Sequence, residues 1–320
     1  MPDRLPGAVD AVINLDRARK WLGRIDVRSD QAAPAPLAAL YATLDSDERA
    51  PTVGDALPPL GHWLYFRSPE RRSEIRKDGR ERGAFLPPIE LPHRACAASR
   101  VQFHRALRVG DAISRTSRIV DIAEKSGRKG PLVFVLIRHE VGDADGVALS
   151  EDQQILFRER AEPPAPEAPH GAYGNAIWSR RFHADEVTLF RYSTLSFDAH
   201  RIHYDRPYAT FVDGNPGLVV QNGLIACLLL DLLRRQAPAA EILSCDLRWI
   251  RPLFDIEPFS ICGRLRDSRT AELWAQNAQG ALAMEAVVTL RDDIRLIYPD
   301  VSERLPRLPP EPIAALRRNA

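Results

Sequence analysis

Cysteine is scarce in this sequence, and no spacing ties the few cysteines together. The four residues include no pair with the two-residue gap of a zinc ribbon or a dithiol redox site. The pattern is typical of reduced, buried thiols, so it predicts a cytoplasmic protein without a cysteine-bound metal. The four are Cys96, Cys227, Cys245 and Cys262.

Net charge, long apolar runs and a signal peptide are also lacking. With 44 basic and 43 acidic residues, the formal net charge is +1, which leaves no overall field to attract nucleic acid or an acidic membrane surface. The longest apolar run, 224–230, is far shorter than the roughly 20 residues of a membrane span. The N-terminal segment carries acids and no apolar core. We therefore expect neither a nucleic-acid partner nor a membrane partner.

Length and one proline-rich segment divide the chain into two halves. A chain of 320 residues is long enough for about two domains. Residues 161–175, AEPPAPEAPHGAYGN, have the composition of a semi-rigid linker. The sequence thus predicts a first domain at 1–160, a second at 176–295 and a tail at 296–320.

A weak internal repeat relates the two halves. Segments 101–113 and 246–259 align at a constant offset of 146 residues, and each is predicted as a strand, a short turn and a second strand. Residues Phe103, Arg105 and Leu107 fall on Trp249, Arg251 and Leu253.

One buried helix and a set of strands are predicted in each half. Residues 223–236, GLIACLLLDLLRRQ, are apolar on most faces and end in two arginines, as expected for a helix enclosed by a sheet. Strands are predicted at 243–252, 257–265, 271–276 and 281–291, and in the first half at 114–124, 132–141 and 152–159. The first-half helix is less clear, with candidates near 38–44 and 58–66.

These elements predict an α+β double hotdog. In that architecture a long antiparallel sheet curls around one buried helix, and the unit is made twice. The alternative is a two-domain α+β protein of another arrangement.

Titratable side chains are concentrated in residues 195–209, LSFDAHRIHYDRPYA. Asp198 and His203 are five residues apart, and no other histidine of the chain has an aspartate five positions before it. An irregular segment can bend two such side chains toward one point. There a carboxylate and an imidazole can share a water, deprotonate it and return a proton to a neighbouring carbon.

Two other interpretations of this segment stay open. Asp205 followed by Arg206-Pro207 is the pattern of an N-cap and the first turn of a short helix. His200, His203 and Asp205 form an HxxHxD pattern, which suggests metal ligands but lacks an obvious fourth one. We expect capping and no metal.

The segment FDAHRIHYDRPYA resembles the motif of MaoC-like hydratases and dehydratases, the (R)-specific enoyl-CoA hydratase superfamily. It is most similar to the double-hotdog branch, which includes mesaconyl-C4-CoA and itaconyl-CoA hydratases and 3-hydroxyacyl-thioester dehydratases. The resemblance covers most of residues 20–295 and implies that Asp198 and His203 are the catalytic pair. Segments 54–66, 82–94, 101–111 and 251–264 contribute to it.

The resemblance also implies an oxyanion hole, a backbone N–H at the start of the central helix. The helix start reads VVQNGLIA, residues 219–226, where relatives often have His-Gly in place of Gln221-Asn222. The donor is therefore Asn222 or Gly223. Gln221 would touch the acyl chain or the thioester, and the alternative role for both polar residues is helix capping.

Further residues are assigned to substrate binding on the same basis. Cys96 stands where many relatives have an aromatic residue, and Gly61 replaces a frequent tryptophan. If both face the acyl tunnel they widen it; the alternative is compensated repacking of the core. Arg201 and Arg206 would contact CoA phosphates, or else hold their loop through salt bridges.

The implied reaction is reversible addition of water to an α,β-unsaturated acyl thioester, with its 3-hydroxyacyl thioester as product. No metal or redox cofactor is implied, because CoA or a carrier-protein phosphopantetheine belongs to the substrate. The first half lacks an Asp–His pair of this spacing, so we expect it to supply a lid, part of the tunnel and the pseudo-dimer interface. A further homodimer is compatible with this arrangement. Two rival functions are a hotdog thioesterase and a non-catalytic double-hotdog partner in a biosynthetic complex.

Overall fold

Antiparallel strands form one continuous ten-stranded sheet in the computed structural model, which describes residues 15–67, 69–81, 85–127, 130–159 and 175–294. The predicted linker, except Asn175, and the predicted tail lie outside these ranges. The strand order is β1-β3-β4-β5-β2-β7-β10-β9-β8-β6. The strands are β1 (Ile25–Gln31), β2 (His93–Phe103), β3 (Ala112–Gly127), β4 (Gly130–Asp143), β5 (Gly146–Arg158), β6 (Trp178–Phe182), β7 (Ile242–Trp249), β8 (Phe259–Asp267), β9 (Thr270–Gln276) and β10 (Leu282–Leu290).

The two halves meet at the central pair of strands, β2 and β7. Arg100 lies opposite Asp246 in this antiparallel pair. These positions are 146 residues apart, the offset of the sequence repeat, so a pseudo-twofold axis passes between them. From this seam outward the order β5, β4, β3, β1 matches the order β10, β9, β8, β6. The weak sequence repeat is therefore a structural duplication.

The halves differ in the helix that the sheet encloses. In the second half, α4 (Asn222–Gln236) packs against β8, β9 and β10 with ten of its fifteen residues buried. At the matching place in the first half the chain forms only a 3-10 helix, Gly61–Leu64. The two segments are anchored alike, since Leu57 N–H donates to Leu107 O and Val220 N–H donates to Leu253 O.

Three other α-helices lie among the described residues. They are α1 (Leu15–Arg19), α2 (Pro34–Thr43) and α3 (Glu186–Ser196). α2 covers part of the first predicted helix candidate, whereas α3 was not predicted. α2 and α3 pack against each other, and α3 also contacts the 3-10 helix of the first half. The main apolar core runs through both halves, and a smaller one lies under α1. No helix of the described residues is long and apolar enough to cross a membrane.

Candidate active site

Asp198 is fixed at the C-terminal end of α3. Its backbone N–H donates to Ser193 O at 2.9 Å, and Phe197 before it adopts a left-handed φ of 55°. This is the pattern of a Schellman C-cap, in which the chain turns sharply away from the helix. The Asp198 carboxylate then accepts a hydrogen bond from the backbone N–H of His200 at 2.9 Å. Hydrogen bonds therefore hold both the backbone and the side chain of Asp198.

His203 faces Asp198 from the end of a 3-10 helix, Arg201–His203. Its Nε2 lies 3.5 Å from Oδ2 of Asp198, and its Nδ1 lies 2.7 Å from Val219 O. A carbonyl oxygen only accepts, so Nδ1 carries the hydrogen and Nε2 of the neutral ring is an acceptor. Nε2 and the carboxylate are then two neighbouring acceptors, an arrangement that suits one water donating to both.

Burial keeps this imidazole uncharged. Burial of His203 lowers its pKa below the ordinary value of 6.5, although the charge of Asp198 and the hydrogen bond to Val219 act in the opposite direction. His200 packs edge-on against His203, with ring centroids 5.5 Å apart. Burial, followed by the charge of Arg80, lowers the pKa of His200 to about 2. Both rings are therefore neutral near pH 7, the form in which His203 can accept a proton.

The N-terminus of α4 points backbone donors into the same site. α4 begins at Asn222, so the amides of Asn222 and Gly223 have no partner inside the helix. Both residues line the cavity that contains Asp198. A side chain at Gly223 would not fit, because its Cβ would lie 2.4 Å from Oη of the buried Tyr192. Glycine therefore lets the helix start pack tightly against α3.

Gln221 is buried at the N-cap of α4, but its side chain does not cap the helix. Its Nε2 donates to Leu189 O and to Ser193 Oγ, both at 2.9 Å. Its Oε1 is buried without a hydrogen-bond partner among the described residues, and Gln221 lines the cavity. The capping interpretation of Gln221 is thus wrong, and an acceptor is left beside the site.

A cavity of about 580 Å³ joins these groups. That volume is in the usual range of small-molecule sites. Both halves of the chain contribute to its walls. Lining residues include Trp63, Cys96 and Ile155 from the first half and Ile202, Trp249 and Pro252 from the second.

Comparison with known proteins places the chain in a family. A model of the hydroxyacyl-thioester dehydratase type 2 family matches residues 60–255, which is more than half of the chain. The chain belongs to this family. A mesaconyl-C(4)-CoA hydratase from Chloroflexus aurantiacus is 40% identical over 272 residues, 84% of this chain and 96% of the relative. A mitochondrial hydroxyacyl-thioester dehydratase type 2 from Schizosaccharomyces pombe is 24% identical over 285 residues, 78% and 91% of the two chains.

Solved structures confirm the fold. A MaoC-like dehydratase from Phytophthora capsici superposes with a TM-score of 0.66 at 15% identity, over 88% of this chain and 98% of that one. A conserved hypothetical protein from Mycobacterium tuberculosis, described as a double hotdog, gives a TM-score of 0.55 at 13% identity, over 84% and 96%. The predicted α+β double hotdog is confirmed, with a central helix shortened to one 3-10 turn in the first half.

The two residues predicted to widen the acyl pocket have different positions in this dehydratase-family chain. Cys96 lies on the cavity wall. Gly61 does not: it is buried against Pro58, whose Cδ would lie 3.1 Å from a Cβ at Gly61. The proposed role of Gly61 in the pocket is therefore wrong. Its neighbour Trp63 reaches the cavity instead, with its indole N–H donating to Glu151 at 3.0 Å.

The two arginines predicted to contact CoA are paired with acids of the protein. Arg201 binds the Asp205 carboxylate at 2.9 Å and lies over the ring of Tyr208. Arg206 forms an ion pair with the buried Asp255. Neither arginine lines the cavity. These ion pairs support the alternative, salt bridges that hold the loop, and the CoA contacts stay a prediction.

The HxxHxD pattern does not form a metal site. Asp205 caps the following helical turn by accepting from Tyr208 N–H at 3.1 Å, as predicted. Nδ1 of His203 is already bonded to Val219 O. Within the described ranges no three His, Cys, Asp or Glu side chains are grouped to hold a metal ion.

Arginines that the sequence did not mark as site residues line the cavity. They include Arg80, Arg94 and Arg251. Nε of Arg251 is buried and unpartnered in the part of the chain that the structure describes, whereas its repeat equivalent Arg105 binds Asp143. The sequence carried a signal for this difference, because the hairpin at 277–280, NAQG, has no acid in place of Asp143.

Proposed function

We propose that this protein is a hydro-lyase that reversibly adds water to an α,β-unsaturated acyl thioester. The observation that supports this most strongly is the 3.5 Å approach of Asp198 and His203 beside the N-terminus of α4. The relatives named as a hydratase and a dehydratase support the same reaction. The name of the first relative makes mesaconyl-C(4)-CoA a substrate to test.

In the proposed hydration, one water donates to both Oδ2 of Asp198 and Nε2 of His203. The water oxygen attacks Cβ while its proton passes to this pair, and the pair then returns a proton to Cα. Val219 O, which accepts from Nδ1, stabilises the imidazolium if the proton rests on Nε2. Dehydration of the 3-hydroxyacyl thioester follows the same steps in reverse.

The negative charge that develops on the thioester oxygen must be stabilised by a hydrogen-bond donor. Backbone amides at a helix start supply one without reorganisation, and the helix dipole adds to the effect. We assign this role to the amide of Gly223 or Asn222. Gly223 is the better candidate because no side chain of its own shields its N–H.

These steps use no metal or redox cofactor. CoA or a carrier-protein phosphopantetheine would enter the cavity only as part of the substrate. A cytoplasmic location and a homodimer remain predictions; the free state of all four cysteines is consistent with the first.

Two substitutions test the proposal with crotonyl-CoA and mesaconyl-C(4)-CoA as substrates. Asp198→Asn and His203→Gln should each lower kcat/KM by roughly 100-fold or more, because each removes one of the two groups that hold and deprotonate the water. His104→Gln and Asp246→Asn are matched controls, because both residues are solvent-accessible and neither lines the cavity. Turnover is followed by loss of the enoyl absorbance, with circular dichroism to confirm folding.

The rival functions give different results in the same assay. Release of free thiol from butyryl-CoA would identify a thioesterase. A folded wild type that turns over neither enoyl thioester would favour a non-catalytic partner. Full activity in both active-site variants would contradict the assigned roles.

A further inference from the structure

Two arginines beside the catalytic pair form no direct ion pair among the described residues, although the nearby charge of Asp78 acts on both of them. Arg80 and Arg94 line the acyl cavity and also an adjoining cavity of about 470 Å³, and Asp198 lines both cavities. Among the described residues neither guanidinium forms an ion pair or a side-chain hydrogen bond, whereas the nearby Arg76 pairs with Asp78 at 3.3 Å. Desolvating a cation without an ion-pair partner costs free energy. The two arginines would therefore bind an anion that arrives with the ligand.

The loop that carries Arg80 is locked onto the catalytic loop. Gly79 has φ of +88°, and a Cβ there would lie 1.7 Å from Ala199 O. Beside this contact, Arg201 N–H donates to Asp78 O at 2.9 Å. Arg80, which belongs to the first half, therefore lies beside the segment that contains Asp198 and His203.

Both arginines lie close to the reacting groups. The charge of Arg80 contributes, after burial, to the lowered pKa of His200 and also acts on His203. Arg94 likewise acts on His200. Burial lowers the pKa of Arg94 itself, and repulsion by the charges of Arg80 and Arg76 lowers it further, against the attraction of Glu81 and Asp78. An anion bound between them would relieve that repulsion.

The position of these residues limits which anion can reach them. In a CoA thioester the long pantetheine arm separates the phosphates from the thioester carbon. The double bond must lie at Asp198 and His203, and both arginines line the cavity that contains this pair, so an anion that meets them there is carried by the acyl group itself. A guanidinium matches a carboxylate with two parallel hydrogen bonds.

We propose that Arg80 and Arg94 bind a carboxylate on Cβ of the acyl group and so select the monothioester of an unsaturated dicarboxylic acid. This proposal rests on the hydro-lyase function proposed above for the same site. It also gives the first half, which lacks the Asp–His pair, a direct part in substrate recognition.

Fumaryl-CoA and crotonyl-CoA test the proposal, because they differ only by a carboxylate or a methyl group on Cβ. The wild type should have the higher kcat/KM for fumaryl-CoA. Arg80→Gln and Arg94→Gln should each reduce the ratio of the two values by roughly 10- to 100-fold, the loss expected for hydrogen bonds to a charged group. Arg71→Gln, an exposed change in the same segment, should leave the ratio unchanged.

Inhibition by free CoA separates the two sources of negative charge. If the arginines bind the acyl carboxylate, free CoA should inhibit the wild type and both variants equally. Weaker CoA inhibition, with equal losses on both substrates, would mean that they bind the CoA phosphates and would overturn the proposal. A wild type that hydrates crotonyl-CoA as well as fumaryl-CoA would also overturn it, while leaving the hydro-lyase function in place. Crotonyl-CoA turnover by each variant shows that the variant is folded.

Discussion

Arg100 and Asp246 occupy equivalent positions in the two halves and bind each other across the β2–β7 seam. Nε and Nη2 of Arg100 lie 2.7 and 2.8 Å from the two carboxylate oxygens of Asp246. The side chains are 64% and 42% exposed, so water screens the pair. The contact therefore adds little to the stability of the seam, which also rests on the other paired positions of β2 and β7.

Reversing one charge of this pair should weaken the seam slightly. Arg100→Asp places two acids opposite each other and should lower the free energy of unfolding by up to about 1 kcal/mol. The exchange Arg100→Asp with Asp246→Arg should restore most of that loss. Urea unfolding gives the free energy of unfolding of the wild type, the single variant and the exchanged variant. An exchanged protein that is no more stable than the single variant would show that the pair does not interact favourably.

A methyl group at Gly223 should disturb both the helix start and the site. Its Cβ would lie 2.4 Å from Oη of Tyr192, which is only 4% exposed and has little room to move. We expect Gly223→Ala to cost about 1–3 kcal/mol of stability, the usual cost of overpacking, and to lower kcat/KM. Thermal unfolding and enoyl-CoA turnover measure the two effects.

Removing the Tyr192 hydroxyl is the control for that prediction. In Gly223→Ala combined with Tyr192→Phe, the nearest remaining ring atom would lie 3.3 Å from the new methyl group. The double variant should therefore be more stable than the sum of the two single effects. Simple additivity would argue against a direct clash.

Gly79 and Gly280 form a matched pair for testing the loop contact. Both have positive φ, +88° and +78°, but a Cβ at Gly280 meets nothing within 4 Å. Gly280→Ala should cost only backbone strain of about 1 kcal/mol and leave kcat unchanged. Gly79→Ala must also displace the Ala199 carbonyl, so we expect kcat to fall by roughly tenfold or more, because small misplacements of reacting groups are expensive. Equal kinetics in the two variants would contradict the docking of this loop on the catalytic segment.

The buried His200 should make the protein sensitive to acid. Its pKa is about 2 in the folded chain, against about 6.5 when unfolded, so between these values only the unfolded chain binds the proton. The stability is complete above pH 6.5 and falls as the pH decreases, by about 1.4 kcal/mol per pH unit for one such group. His200→Gln should therefore flatten the pH dependence of the unfolding free energy between about pH 6 and pH 4. His104→Gln, the same substitution at an exposed histidine, is measured beside it. Parallel curves for wild type and His200→Gln would contradict this account.

Most of the sheet was predictable because its strands alternate and are separated by turn residues. The predicted second-half strands correspond to β7 to β10, and the first-half ones to β3, β4 and β5. α3 was missed because apolar side chains such as Val187 and Phe190 are exposed on it, so no apolar stripe marks the helix. One local signal existed: Asp185 accepts from Thr188 N–H at 2.8 Å as an N-cap.

The pairing of Asp198 and His203 was predicted from the resemblance of their segment to the MaoC-like motif, because a spacing of five residues allows the contact without requiring it. The cavity wall was not predicted. Gly61 was assigned to the wall although its side-chain direction depends on packing against Pro58. Arg80 reaches the site from the other half through a contact between Gly79 and the Ala199 backbone, which no local pattern records. Tertiary contacts determine where Gly61 and Arg80 lie, and such contacts are difficult to predict from a single sequence.

The opposite charges of Arg100 and Asp246 on the pseudo-twofold axis distinguish this protein from a homodimer of single hotdogs. On the axis of a true homodimer a residue faces its own copy, so an arginine would meet an arginine. Fusing the two copies into one polypeptide lifts that restriction and allows opposite charges to stand there. Each copy can then diverge separately, so one can shorten its helix and specialise in substrate recognition while the other keeps the chemistry.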